Sequence, residues 1–578
     1  MTLKRISGKR VLAAGAVTLL AAGLAACSSG GSSSPGTTSG SGGSTSASTS
    51  NQPPLIMESS PEDNLTDNFN PFDASSPIQG MGATGLVYEP LLQFNLANPS
   101  TAPYPWLATA YTWSNGGKSI TFTIRQGVKW NDGTPFTAAD VAFTFNYIKQ
   151  YGVNNKTDDV NVGGLNITSV STSGNTVTIS FPSAQYMNLE HIGGQVILPQ
   201  HIWSSITDPG HFTDPKPVGT GPYTLGSFTT QGYTMVANPS YWAPVPVKKV
   251  YFPDYTTNNA AQTALFSGKI DWTGNYIPEL QQNFISKDPT HNVAYEGANA
   301  SNALYPNLKT GPTSILAVRQ AIDVALDRQL IGTEGESGLE APVLNASGIT
   351  QPAFSAWLAP SLASDTLSPN GDVAQAASIL QKAGYTKDSA GYFAKGGTEL
   401  DIAITTPGDY SDYANDVQLA VQSLKSAGIK ASFNNVTVDA YNADAQNGNF
   451  QVLLRWGNGG ITPYQLYDGW LDPSLIGTGA GNYERFSNPT ITADLAKLNG
   501  DQTIANQTTD LTPIESYVAN NLPVIPTTTS AEWCEYTSKN FTGWPTQANP
   551  YQSCQPSGTN LTGASGTDEY VLLHLKPA

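Results

Sequence analysis

The chain has 578 residues, 39% hydrophobic, 10% aromatic and 12% charged, a composition that excludes wholesale disorder and leaves room for two or three domains. Its net charge of −17 and sequence pI of 4.6 repel phosphate backbones and argue against nucleic-acid binding. Acidity of this kind serves solubility and names no ligand.

Residues 1–26 begin with Lys4, Arg5, Lys9 and Arg10 and continue into an apolar run of small residues from Val11. A basic start followed by a short apolar stretch reads as an export signal, too short for a lasting span. It ends in Leu24-Ala25-Ala26-Cys27, which resembles the bacterial lipobox. The resemblance implies cleavage before Cys27 and a diacylglycerol on its sulfur. Residues 27–53 are then the lipidated cysteine and a Ser/Gly-rich flexible linker, which has no apolar surface to bury. No later segment holds 18 uninterrupted apolar residues. The mature chain is therefore expected outside the cytoplasmic membrane, held to it through lipid alone. In that oxidising setting Cys534 and Cys554 are either a disulfide or two free thiols. A bond would close a loop of about 20 residues, worth about 3 kcal/mol.

Along the body, Lys118 to Arg125 alternates polar and apolar as a half-buried strand does. Asn131-Asp132-Gly133 is a tight turn. Thr137 to Asp140 predicts a capped helix start, with Val141, Phe145 and Ile148 at helical spacing. Residues 314–331 predict a helix with Ile315, Val318, Ile322, Leu326 and Leu330 on one face. Arg319, Asp323 and Asp327 fall off that face. The stretch from 400 to 456 is the most informative. It reads as strand 400–405, helix 412–427 ended by Gly428, an extended run 429–438, a short helix capped by Asp439, and a buried strand 450–455. That order produces a parallel sheet with crossover helices, so the fold class is α/β. Ligands of open α/β sheets bind beyond the carboxyl ends of strands, and Trp456 stands at such an end.

Several blocks carry a family resemblance. They are Trp106-Leu107-Ala108, RQGVKWNDGTPFTAADV at 125–141, PVGTGPY at 217–223, NPSYW at 238–242, GKIDW at 268–272, VRQAIDVALDR at 318–328, AGY at 383–385 and LPVIP at 522–526. In this order and spacing the chain resembles family 5 solute-binding proteins of ABC importers, the oligopeptide, dipeptide and nickel type. The resemblance implies a two-lobed periplasmic-binding-protein fold of type II, with three subdomains and a hinged cleft between the lobes. Lobe I would comprise 54–86, 218–300 and 522–578. An inserted subdomain would span 87–217, and lobe II 301–521. A monomer would capture solute by hinge closure and deliver it to permease subunits. The block at 125–141 is explained by its turn and cap without a ligand.

The segment 454–470 is the expected site. It joins a glycine-rich loop to Trp456, Tyr464, Tyr467 and Trp470. Glycines let a backbone approach a ligand, and the aromatics offer flat faces with polar edges. Asn458 is a candidate hydrogen-bonding residue and Trp272 a candidate platform from the other lobe. Core packing is the competing role for each aromatic. In peptide-binding relatives the matching loop carries an Asp shortly after the Trp, which pairs with the peptide ammonium. Here that position falls on Asn458 or Gly459, and no carboxylate occurs before Asp468. An oligopeptide ligand and a β-linked oligosaccharide both remain open.

Catalytic readings find little. His191, His201, His211, His291 and His574 show no HExxH spacing, and no CxxC, G-x-S-x-G or P-loop occurs. No cofactor or metal site is expected. An exported hydrolase or a ligand sensor are the readings of another class.

Overall fold

The alternation at 118–125 becomes the strand Ser119–Ile124, with Ile120, Phe122 and Ile124 buried. In the computed structural model the described residues are 52–59, 65–73, 76–151, 166–295, 297–556 and 567–578. The export signal, Cys27 and the linker up to Asn51 lie outside them. Ser119–Ile124 sits inside a four-stranded antiparallel sheet, between Ala108–Ser114 and Thr176–Ser180, with Ser169–Ser173 at the edge. The helix Ala138–Tyr151 covers it through Val141, Phe145 and Ile148. Its start has the reciprocal geometry expected there. Thr137 Oγ accepts from Ala139 N at 3.2 Å, and Asp140 Oδ2 accepts from Thr137 N at 2.9 Å. Trp130 is fully buried edge-on to Phe136.

A seven-stranded mixed sheet draws on distant parts of the chain. Its order is Asn292–Ala294, Glu535–Thr537, Trp272–Thr273, Leu55–Glu58, Lys249–Pro253, Gly232–Ala237 and Tyr223–Thr229. The N-terminal strand is thus central and parallel to both its neighbours.

The stretch 400–456 folds as β-α-β-α-β. Asp401–Pro407 pairs in parallel with Lys430–Val436 on one side and Val452–Trp456 on the other. Helices Ser411–Ser426 and Val438–Asn447 make the crossovers. The second helix is capped by Thr437, whose hydroxyl accepts from Ala440 N, and not by Asp439. Gly448 ends it at φ 76°. Two antiparallel strands, Gly297–Pro306 and Ile525–Glu532, complete a five-stranded mixed sheet. Hydrophobic clusters fill both its faces. Val452 and Leu454 join one, and Leu453 the other.

The helix expected at 314–331 is shorter, Leu316–Ala325. Arg319 and Asp323 are buried, contrary to their expected place off the face. Arg319 donates to the carbonyls of Thr313 and Leu522. Asp323 receives Arg328 at 2.6 Å in a fully enclosed ion pair. The helix is covered on more than one side, so its polar residues are paired inside.

The five- and seven-stranded sheets are joined by two adjacent chain passages. Only residues 295–296 separate Asn292–Ala294 from Gly297–Pro306, and only 533–534 separate Ile525–Glu532 from Glu535–Thr537. Gly297 pairs with Glu532, and Tyr295 N donates to Cys534 O at 2.9 Å. Cys534 is disulfide-bonded to Cys554. No helix among the described residues is long and apolar enough to cross a membrane.

Candidate functional site

Strand Val452–Trp456 ends at a cavity of about 410 Å³. Its side chains alternate across the sheet, so Arg455 shares the face of Leu453 while Trp456 leans toward the crossover helix. Trp456 is half-buried, 6.2 Å from Tyr413 and 6.5 Å from Tyr410 between ring centres. The loop beyond it turns back at once. Gly457 N donates to Ser301 O at 2.9 Å. A Cβ on Gly457 would stand 2.6 Å from Leu466, and one on Gly460 2.7 Å from Gln465. These two glycines make room for protein atoms, not for a solute.

The helix Tyr464–Leu471 comes next. Tyr464 and Asp468 lie one turn apart and both line the cavity with Trp456 and Asn458. Tyr467 and Trp470 point the other way. Tyr467 is fully buried with its hydroxyl on Ser347 O, and Trp470 donates Nε1 to the Tyr305 hydroxyl at 2.9 Å. Trp272 is also enclosed, edge-on to Trp544, with Nε1 on Cys554 O. These three aromatics were expected at the site. Their faces are covered by core, so packing accounts for them.

The opposite wall comes from the segment after the four-stranded sheet. His191 lines the cavity. Its neighbours tie the two walls together. Ile461 N donates to Glu190 Oε2 at 2.9 Å, Gln465 Nε2 to Met187 O at 3.0 Å, and Asn188 Nδ2 to Asn499 Oδ1 at 3.2 Å. Asn499 also donates to the Tyr464 hydroxyl. Trp456, Asn458 and Tyr464 are thus brought together, while Trp272 sits in a separate core. His191, Arg455, Gln465, Asp468 and Tyr483 also line the cavity and were not singled out from the sequence. For Asp468 the signal was present: it stands at helical spacing from Tyr464.

Burial sets the charge states. It pushes the Asp468 carboxyl up to about 6, with Asp472 adding to the rise. It pulls the His191 imidazole down to about 4, so that ring is neutral at pH 7. The cavity therefore holds a titratable acid, a neutral imidazole, amides and aromatic faces. A second cavity of about 540 Å³ lies beside the passages between the sheets, next to Tyr295, Gly297, Thr529 and Ala531. Among the described residues no charged side chain lines it.

Comparison with known proteins places this geometry. Residues 102–477 match the family model described as the middle region of bacterial extracellular solute-binding proteins, family 5. Protein XP55 of Streptomyces lividans is 26% identical over 427 residues, covering 72% of this chain and 74% of that protein. The periplasmic murein peptide-binding protein MppA of Escherichia coli is 24% identical over 449 residues, covering 73% and 79%. A crystal structure of the mannohexaose-bound periplasmic oligopeptide-binding protein of Thermotoga maritima superposes with a TM-score of 0.76 at 23% identity, covering 90% of this chain and 98% of that one. The likeness carries a two-lobed α/β fold of type II. Proteins of this kind bind solutes outside the cytoplasm and are not enzymes. This chain belongs to the bacterial extracellular solute-binding proteins of family 5.

Proposed function

We propose that the protein captures short peptides in the cavity at Trp456 by closure of its lobes and delivers them to the permease of an ABC importer. Trp456 serves as the platform, Asn458 and Tyr464 supply polar edges, and Asp468 answers the peptide ammonium. Lobe I comprises 54–86, 218–300 and 522–578 with 87–217 inserted, and lobe II is 301–521. The chain acts as a monomer, anchored through lipid on Cys27 and spaced from the membrane by residues 27–53.

The observation that carries this reading is Asp468 in the same cavity as Trp456 and Asn458. The loop after Trp456 lacks a carboxylate, and the next helix supplies one from a different direction. A buried ammonium needs such a counter-charge. Similarity to the murein peptide-binding protein of E. coli supports the same ligand class.

A β-linked oligosaccharide is the second reading. The cavity of about 540 Å³, whose described lining holds no charged side chain, favours it, as does the mannohexaose named with the T. maritima structure.

Thermal-shift and calorimetric titration separate the two. Short peptides with free N-termini are expected to stabilise the mature protein, by about 2.7 kcal/mol at 100 times the dissociation constant. N-acetylation, or Asp468→Asn, is expected to cut affinity about tenfold or more. Equal binding of free and acetylated peptides, or binding of β-manno- or β-gluco-oligosaccharides alone, would sink the peptide reading.

A further inference from the structure

Beyond Trp456 and its neighbour Tyr413 the chain gathers four acids and gives them no cation. Asp412 and Asp416 stand one turn apart on the helix Ser411–Ser426. Glu336 follows the turn Ile331–Gly335, and Glu340 comes next along the chain. Gly335 permits the close approach, because a Cβ there would overlap Asp416 Oδ1. The carboxyls of Glu336 and Asp416 face each other. The two residues are 0% and 1% exposed, and all their carboxylate oxygens are buried without a hydrogen-bond partner among the described residues. Asp412 is half-buried. No Lys, Arg or His of the described residues forms an ion pair with any of the four acids.

Glu340 ties this cluster to the platform. It accepts from Asn302 Nδ2 at 2.8 Å, Thr528 Oγ1 at 2.7 Å and Ala531 N at 2.8 Å. Asn302 in turn accepts from the Tyr413 hydroxyl at 3.0 Å, and Tyr413 is the ring beside Trp456. The cluster also lies where the proposed lobes meet. The Tyr276 hydroxyl of lobe I is 2.9 Å from Ser337 Oγ of lobe II, next in the chain to Glu336. Burial raises that hydroxyl above its ordinary range, and Glu336, Asp412 and Asp416 add to the rise.

Buried carboxylates without partners are costly, and the charge they lack is positive. Burial, with Asp416 and Asp412 adding to it, pushes the Glu336 carboxyl far above its usual range. Protons thus stand in for a cation when the site is empty. An ammonium or guanidinium can take their place, donating to the same oxygens. No group of three or more ligating side chains among the described residues is arranged for a metal ion, so an organic cation is the fitting occupant.

We propose that Glu336, Asp412 and Asp416 form a cation subsite that takes a positive group of the captured solute. This rests on the reading of lobe closure around the Trp456 platform, but not on the solute being a peptide. Closing Tyr276 over the acids buries negative charge, and a cationic solute offsets that cost where a neutral one of the same size does not. With Asp468 taking the α-ammonium, the preferred ligand is a short peptide carrying a lysine or arginine side chain.

The test uses two probe pairs, each differing by one positive charge. One is an alanyl-lysine dipeptide and its Nε-acetyl derivative. The other is a β-linked disaccharide bearing one amino group and its N-acetyl counterpart. Each is titrated by calorimetry into the mature protein, into Asp412→Asn, and into Glu336→Gln combined with Asp416→Asn. The charged member of whichever pair binds is expected to bind about tenfold or more tightly. Either variant is expected to erase that preference by weakening the charged member. The double variant removes only unpartnered acids, so its melting temperature should not fall. Equal affinity of charged and neutral members for the unaltered protein overturns the proposal, and this comparison needs no variant to fold. Equal and tight binding of the two peptides would leave the peptide reading standing without the subsite. A preference confined to the sugar pair would sustain the subsite and remove the peptide reading. Survival of the preference in either variant, or binding of no probe, overturns the proposal too.

Discussion

At the scale of the residue, two kinds of buried group make opposite demands. Trp456 is half-buried between Tyr413 and the cavity, so its removal should cost ligand before it costs fold. Trp456→Ala is expected to weaken binding about tenfold or more while the unliganded melting temperature stays within a few degrees. A collapse of the unliganded protein, read by circular dichroism, would return the residue to packing. Glu89 and Glu569 behave differently. Both are fully buried, and the Tyr241 hydroxyl lies within hydrogen-bond distance of both, at 2.8 and 3.3 Å. Trp242 Nε1 donates to Glu89, and Trp106 Nε1 to Glu569. Burial pushes Glu89 up to about 7 and Glu569 well above the carboxylate range. The folded state keeps protons that the unfolded chain releases near pH 4.5. Stability from this site is therefore full at low pH and is lost as pH rises from about 4.5 toward 7. The slope is about 1.4 kcal/mol per pH unit for each such group. Glu89→Gln is neutral throughout, so its melting temperature should fall less between about pH 5 and 7 than that of the unaltered protein. Parallel curves for the two would refute the assignment.

At the scale of the element, the helix Leu316–Ala325 depends on a side chain just beyond its end. Arg328 is fully enclosed and donates to the Asp323 carboxylate, the Asp323 carbonyl and the Pro526 carbonyl. It thereby ties the helix to the strand Ile525–Glu532. Arg328→Ala strands the Asp323 charge and should destabilise by about 3–5 kcal/mol, measured by urea unfolding. Arg328→Ala together with Asp323→Ala should recover part of that loss. The crossover region 400–456 was legible in the sequence because its signals are local: a period of two, a period near 3.6, and Gly428 and Gly448 at helix ends. The burial of Arg319 and of the Arg328–Asp323 pair was not, because Leu522 and Pro526, whose carbonyls receive the two guanidinium groups, lie about two hundred positions away. Tyr467 and Trp470 were unreadable for a related reason. Apolar periodicity shows that a helix has a buried face but does not say whether solute or core covers it. The i, i+4 relation of Tyr464 and Asp468 held the missing information about the acid in the cavity.

At the scale of the whole molecule, the sequence blocks identified the family and the fold class, while the sheets depend on pairings between ends of the chain. Leu55–Glu58 lies beside Trp272–Thr273, and Gly297–Pro306 beside Ile525–Glu532. The Cys534–Cys554 bond closes the chain just beyond one passage between the sheets. Its removal in a Cys534→Ser, Cys554→Ser double variant should lower stability by about 3 kcal/mol. An unchanged denaturation midpoint would show that the link carries no such weight. Intact mass under non-reducing conditions reports the bond directly.

The pairing of Gly297 with Glu532 and of Tyr295 with Cys534 has a mechanical corollary. A ribbon two strands wide bends easily across its thin dimension and resists sliding within its plane, where Gly297–Glu532 pairing and the Tyr295–Cys534 hydrogen bond act as rungs. The lobe closure proposed above would then run along little more than a single angle. A membrane partner that touches both halves could then tell a loaded protein from an empty one by the spacing of two surfaces, without contacting the cargo.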